Sequence, residues 1–249
     1  MIDSLFPAEI EPLTGLALMA ISFGTSFITA AFGIGGGVVL IGVLAVLLPP
    51  AALIPVHGVV QMGSNTGRAF IMRQHVSWPI LGLFAVGTLV GVAIGGVLVV
   101  DLPPAYVQIG IALFVLWSII GKPPKFMAGT AWIAGGTSSF LTMFFGATGP
   151  FVAAYIKTLG FDRMTHSATH AMCMVLQHGL KILAFGVLGF AFGPYIVLIV
   201  GMIAFGFLGT LVGKRVLMKI DEARFKLALN AILIVLSLRL LWAGATDLI

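Results

Sequence analysis

Along this chain the apolar positions come as long runs and the polar ones as punctuation between them. Cutting at the intervening Gly, Pro and charged residues leaves ten apolar segments, at 13–32, 38–48, 53–72, 77–100, 104–120, 126–145, 149–159, 166–190, 194–218 and 223–242. A helix rising 1.5 Å per residue needs about 20 residues to cross a hydrocarbon core of about 30 Å. Eight segments are of that order. The other two, 38–48 and 149–159, would reach only about 17 Å, so each is expected to be a half-helix, a re-entrant piece or part of a broken helix. The pattern predicts an all-α polytopic membrane protein of eight full spans plus two short segments.

Composition strengthens that expectation: of 249 residues, 60% are hydrophobic and 8% charged, and the mean hydropathy is +1.17. The first segment is expected to stay as a membrane helix, because acidic Asp3, Glu9 and Glu11 precede it where a cleaved signal would carry basic residues. A net charge of +5 would suggest nucleic acid in a soluble protein. Here it reads as topology, with the lipid bilayer as the partner and no nucleic acid. Starting outside and crossing at every segment puts Arg73, Lys122, Lys125, Lys157, Arg163, Lys214, Arg215, Lys219, Arg224 and Lys226 on the cytoplasmic side. Asp3, Glu9, Glu11, Asp101 and Asp247 then lie outside, a consistent positive-inside pattern. The single cysteine, Cys173, excludes an internal disulfide and a CxxC metal site. No metal or other cofactor is expected.

Five segments followed by five suggest a duplication, and a gapless register appears at an offset of 113 residues. Ser26, Phe27, Thr29, Phe32, Gly33, Gly36, Val39 and His57 meet Ser139, Phe140, Thr142, Phe145, Gly146, Gly149, Val152 and His170, and Arg68 falls on Lys181. Apolar composition alone would supply some of these matches; an imidazole and a cation recurring in register carry more weight. Five crossings is an odd number, so the halves, 1–121 and 122–249, would be inverted relative to each other, as in many transporters.

The two halves break at corresponding places. Gly33, Gly35, Gly36 and Gly37 interrupt the first, and Gly146, Thr148, Gly149 and Pro150 the second, each ahead of a short segment. A nucleotide-cradling loop is excluded, since no Gly-Lys-Ser/Thr ending follows and the spacing is not that of a dinucleotide fingerprint. Interrupted backbone at membrane depth needs protein or a water-filled cavity around it. Freed N–H groups at two half-helix starts would make an anion site; the bland alternative is close helix packing, which suffices for Gly15, Gly24, Gly91 and Gly95. Beyond each break a polar stripe follows at helical spacing: His57, Gln61, Ser64, Asn65 and Arg68, then His170, Gln177, His178 and Lys181. Ionisable groups inside a membrane are costly and usually face a cavity. Arg68 could instead snorkel to the surface, and His57 and His170 could be helix ties. All eight acids lie near segment ends or in loops, so the interior is cationic and neutral and suits an anion. Histidine is the only intramembrane group there suited to proton coupling.

The stretches "FGIGGGVVLIGVLAVLLPP" and "HGVVQMGSNTGRAFIM", their counterparts "FFGATGPFVAAYIKTLG" and "HAMCMVLQHGLKILAF", and the closing "GTLVGKRVLMKIDEARFKLALNAILIVLSLRLL" resemble the TauE/SafE family of sulfite exporters and related anion permeases. Where that family often has a proline just after the first glycine cluster, this chain reads Val38, Val39 and Leu40, with Pro150 in the second half only. The resemblance implies a multi-pass permease of the bacterial inner membrane for sulfite, sulfoacetate or related organosulfonates. The expected mechanism is alternating access by a secondary transporter with a small sulfur oxyanion as partner. A passive anion channel is the alternative. An intramembrane enzyme is disfavoured by the lack of an HExxH motif and of paired membrane aspartates. Oligomeric state is not legible.

Overall fold

The computed structural model describes residues 6–32, 35–99, 103–120, 130–216 and 222–248. Gly33 and the terminal or loop charges Asp3, Asp101, Lys122, Lys125 and Lys219 lie outside the described residues. The described residues form ten α-helices: α1 (Pro12–Phe32), α2 (Gly36–Leu47), α3 (Pro50–Ile71), α4 (Trp78–Val99), α5 (Pro104–Ile120), α6 (Ala131–Phe145), α7 (Gly149–Lys157), α8 (Arg163–Val187), α9 (Ile196–Val216) and α10 (Glu222–Thr246). Helices α1, α4, α8, α9 and α10 include stretches long and apolar enough to cross a membrane. The protein is therefore an all-helical, multi-pass membrane protein.

Each apolar segment becomes one helix, with shifts at the ends that have local causes. Proline fixes φ near the helical value and needs no acceptor at a helix start, so α3 begins at Pro50, earlier than the apolar run itself. Asp162 sets the start of α8 by accepting from the Met164 and Thr165 N–H groups at 2.8 and 3.1 Å, which moves that start ahead of residue 166. The same helix stops at Val187, short of residue 190, because Gly189 turns with φ 92°.

The most extensive packing joins α1 to α9, α4 to α6, α3 to α8, and α5 to α10. Small residues permit the first two. A Cβ on Gly87 or Gly91 of α4 would overlap the Trp132 or Gly136 carbonyl of α6, and one on Gly209 of α9 would overlap the Phe23 carbonyl of α1. Gly24, expected as a packing glycine, faces open space instead. The short α2 is enclosed by protein: Val38, Leu40, Ile41 and Leu44 are all buried, in a core shared with α1, α3, α5 and α9. Helix α7 is buried likewise through Phe151, Val152, Tyr155 and Ile156.

Candidate functional site

The local backbone at the two breaks follows from glycine. Gly35 caps α2 with φ 105°, and Gly146 closes α6 with φ 76°, conformations that side chains with a Cβ rarely adopt. The Gly35 carbonyl accepts from Val38 and Val39, both at 3.0 Å, and the Thr148 carbonyl from Phe151 and Val152 at 3.0 and 3.3 Å. Gly36 is pressed against α1, where a Cβ would overlap the Thr25 carbonyl. As first residues of their helices, Gly36, Gly37 and Gly149 have N–H groups without an acceptor one turn back.

Between the two helix starts lies a cavity of about 40 Å³, room for roughly three waters. Gly35, Gly37 and Gly149 supply its backbone wall, and Thr29, Gln61, Asn65, Arg68, His170 and His178 supply its polar side chains. The pocket is pre-organised from α3: Asn65 Nδ2 donates to the Gln61 carbonyl at 2.7 Å, and Arg68 Nη2 donates to Asn65 Oδ1 at 2.5 Å. That bond holds the guanidinium toward the cavity and leaves its other donors for a ligand.

Each helix start is tied to a histidine. His57 Nε2 lies 3.1 Å from the Gly37 carbonyl oxygen, and His170 Nε2 lies 3.1 Å from that of Gly149. With the ring nitrogen donating, both imidazoles hold their glycines in place. His170 also faces the cavity, whereas His57 is fully buried behind it, its ring 6.0 Å from that of His178.

The sequence-derived residues therefore separate into two groups. Gly35, Gly37, Gln61, Asn65, Arg68, Gly149, His170 and His178 line the cavity. Gly36, His57, Gly146, Thr148, Gln177 and Lys181 support it from behind. Gln177 donates through Nε2 to the Ser138 carbonyl at 3.0 Å and to the Thr148 hydroxyl at 2.7 Å. Lys181 is fully buried beside Gly58 of α3, and its Nζ has no hydrogen-bond partner among the described residues. Thr29 was not singled out by sequence as a contact; its place in the repeat register, opposite Thr142, was the available signal.

Below the cavity a wide vestibule of about 1460 Å³ opens. Thr29, Arg68, Pro150 and His170 line both spaces, so the small cavity is reached from the vestibule. Lys157, His75 and His166 add basic groups to the vestibule wall, and among the described residues no carboxylate lines either space. The other ends of α1 and α8 carry an aromatic cluster. There Phe6, Ile10 and Tyr195 are buried in the apolar core with Phe190 and Phe192 packed on them, and the Tyr195 hydroxyl donates to Glu9 Oε2 at 3.1 Å. The arrangement can hold a small anion by backbone N–H, amide, guanidinium and imidazole donors. Among the described residues no group of three His, Cys, Asp or Glu side chains is placed to hold a metal ion.

The family model described as Sulfite exporter TauE/SafE matches residues 18–240. No curated protein and no solved structure matches the chain significantly.

Proposed function

The chain belongs to the TauE/SafE sulfite exporter family, and on that premise we propose that it is a secondary transporter moving sulfite or related small sulfur-containing anions across the bacterial inner membrane by alternating access. The observation that carries this reading is the cavity where two helix starts, Arg68, Asn65, Gln61, His170 and His178 converge, with no carboxylate among its described lining residues. A sulfur oxyanion offers three acceptor oxygens with delocalised charge, which suits several convergent donors and a guanidinium above all. A cavity of about 40 Å³ holds an oxyanion of roughly three waters' volume. In this conformation sulfite fits whole, while the tail of a sulfoacetate would extend past Thr29 and Pro150 into the vestibule.

The packing supports reading the chain as two inverted halves, 1–121 and 122–249. In such a repeat α1 to α5 correspond to α6 to α10. The α1–α9 contact then has α6–α4 as its image, while α3–α8 and α5–α10 are their own images, and these are the four dominant contacts. The paired His57–Gly37 and His170–Gly149 bonds are alike in kind, with the glycine shifted by one residue from the 113-residue register. On that reading α2 and α7 are the two short segments and the other eight helices cross the membrane. The positive-inside pattern turns the vestibule toward the cytoplasm. A vestibule open on one side and an aromatic cluster on the other favour a carrier over a channel. Each of the intramembrane histidines is a station for a coupled proton.

The deciding experiment is flux of purified protein in liposomes, comparing sulfite, sulfoacetate, sulfate, chloride and a carboxylate isostere. Saturable sulfite flux with counter-flow, lost in Arg68→Ala, is the expected result. Equal, non-saturating flux of every anion would move the reading to a channel.

A further inference from the structure

The residues around the cavity obey the repeat in part, and the exceptions that reach the vestibule are polar. At the 113-residue offset, Gly37 pairs with Pro150, Gln61 with Met174, and Asn65 with His178; both members of each pair line the cavity. Among the split pairs, three have a member that also lines the vestibule. Thr29, Arg68 and His170 line the cavity and the vestibule, whereas their counterparts Thr142, Lys181 and His57 are fully buried. So the cavity straddles the relation between the halves, and the vestibule has opened one side of it.

Of these buried residues, Thr142 is satisfied, its hydroxyl donating to the Gly146 carbonyl at 3.0 Å, but the two basic ones are not. Lys181 Nζ and His57 Nδ1 have no hydrogen-bond partner among the described residues, and neither has Nδ1 of the adjacent His178. The Lys181 stem runs past Gly58 in the α3–α8 contact, where a Cβ would lie 2.8 Å from its Cε. Basic and neutral groups alone face it there: His57 from α3, with His178 on its own helix. A cation buried without a counter-charge is a costly arrangement for any single static structure. It is explicable as the closed member of a pair that opens in turn.

We propose that Lys181, His57 and Thr142 form a second oxyanion half-site, the opposite-facing counterpart of Arg68, His170 and Thr29. When the α3–α8 contact rocks to close the vestibule, Lys181 is uncovered on the far side of the cavity and takes over the anion's charge as Arg68 becomes buried. The shared floor, Gln61, Asn65, His178 and the helix starts, stays with the anion in both states. The two cations thus alternate as gate-side counter-charges and never clamp one anion together. This rests on the alternating-access reading above, but not on which anion is carried.

The test is side-specific labelling with a charged, membrane-impermeant thiosulfonate in oriented vesicles. The background is Cys173→Ser, which removes the single cysteine. Arg68→Cys identifies the vestibule face. Lys181→Cys is expected to label only from the opposite face, and even a state populated at about 1% labels measurably over time. Thr142→Cys, a near-isosteric change, reports on the same half-site if Lys181→Cys fails to fold. Labelling of both new cysteines from the vestibule face, or from neither face, overturns the proposal. A protein that labels as expected but moves no sulfite would instead sink the substrate assignment and leave the half-site standing.

Discussion

Gln177 of α8 and Thr148, which caps α7, are joined by a 2.7 Å hydrogen bond from Nε2 to the threonine hydroxyl. The same Nε2 reaches the Ser138 carbonyl at 3.0 Å, so one buried amide fastens α6, the second break and α8 together. Gln177→Leu leaves the buried Thr148 hydroxyl without its donor, a loss on the order of 1–3 kcal/mol, while the Ser138 carbonyl keeps its helical bond within α6. The melting temperature of the purified protein should fall, and flux with it, because Thr148 is no longer tied to α8 and the second break is less firmly held. Undiminished stability would mean that water replaces the amide.

The fold was largely legible because membrane-grade runs leave little ambiguity about helix, and Gly and Pro mark their ends. What sequence gave less well was local: the α8 start set by Asp162, and the α3 start set by Pro50. The candidate site was legible as a stripe on α3 and α8, but not as an arrangement. Helical spacing puts Gln177, His178 and Lys181 near one another; it does not say that Gln177 binds the neighbouring break or that His178 alone among them faces the cavity. Nor does one sequence say that Arg68 lines the cavity while Lys181 is buried, since the two cations hold matching places in the sequence pattern.

Arg68 is held toward the cavity by Asn65, and its fork is suited to two oxygens at once. Each charge-assisted hydrogen bond contributes about 1.5–3 kcal/mol. Arg68→Ala should therefore weaken sulfite affinity by at least about tenfold, Arg68→Lys by less, and Asn65→Ala should raise KM by mispositioning a guanidinium that is still present. Competition binding in detergent separates the three. Equal losses in Arg68→Lys and Arg68→Ala would show that geometry, not charge, dominates.

Two adjacent glycines should behave differently. A Cβ on Gly36 would overlap the Thr25 backbone carbonyl, which cannot move without parting α1 from α2. Gly36→Ala is thus expected to cost about 1–3 kcal/mol by overpacking and to reduce folded yield. At Gly37 the Cβ would meet only the Gln61 amide end, which can swing aside. Gly37→Ala should fold normally yet bind sulfite poorly, since both the new methyl and the displaced amide occupy the cavity. Size-exclusion profile and binding, measured together, check the contrast.

Outside the membrane, the Asp162 carboxylate accepts from the Thr165 hydroxyl at 2.6 Å as well as from two backbone N–H groups. The hydroxyl foremost, then the N–H groups, hold its pKa below the usual 3.8. A depressed folded value means that its contribution to stability is complete above the unfolded pKa and is lost as pH falls through the folded one. Asp162→Ala should lower the melting temperature at neutral pH, with the gap to wild type narrowing as pH drops below 3.8. A gap that does not change would point to the neutral cap alone.

The vestibule gives the last prediction. Its wall carries Lys157, Arg68, His75 and His166 and, among the described residues, no carboxylate, so anions entering from that face are drawn in before they meet the cavity. Lys157 is exposed at the end of α7 and does not line the small cavity. Its effect should therefore be on approach and not on the occupied site. Lys157→Glu is expected to raise KM for sulfite measured from the vestibule face while leaving the limiting rate near wild type. Because the Debye length is about 10 Å at 0.1 M salt and about 3 Å at 1 M, the difference between variant and wild type should shrink as salt rises. If KM is unchanged at low salt, the vestibule charge is idle and capture is left to Arg68. If instead the limiting rate falls at every salt concentration, Lys157 acts in the conformational change that closes the vestibule.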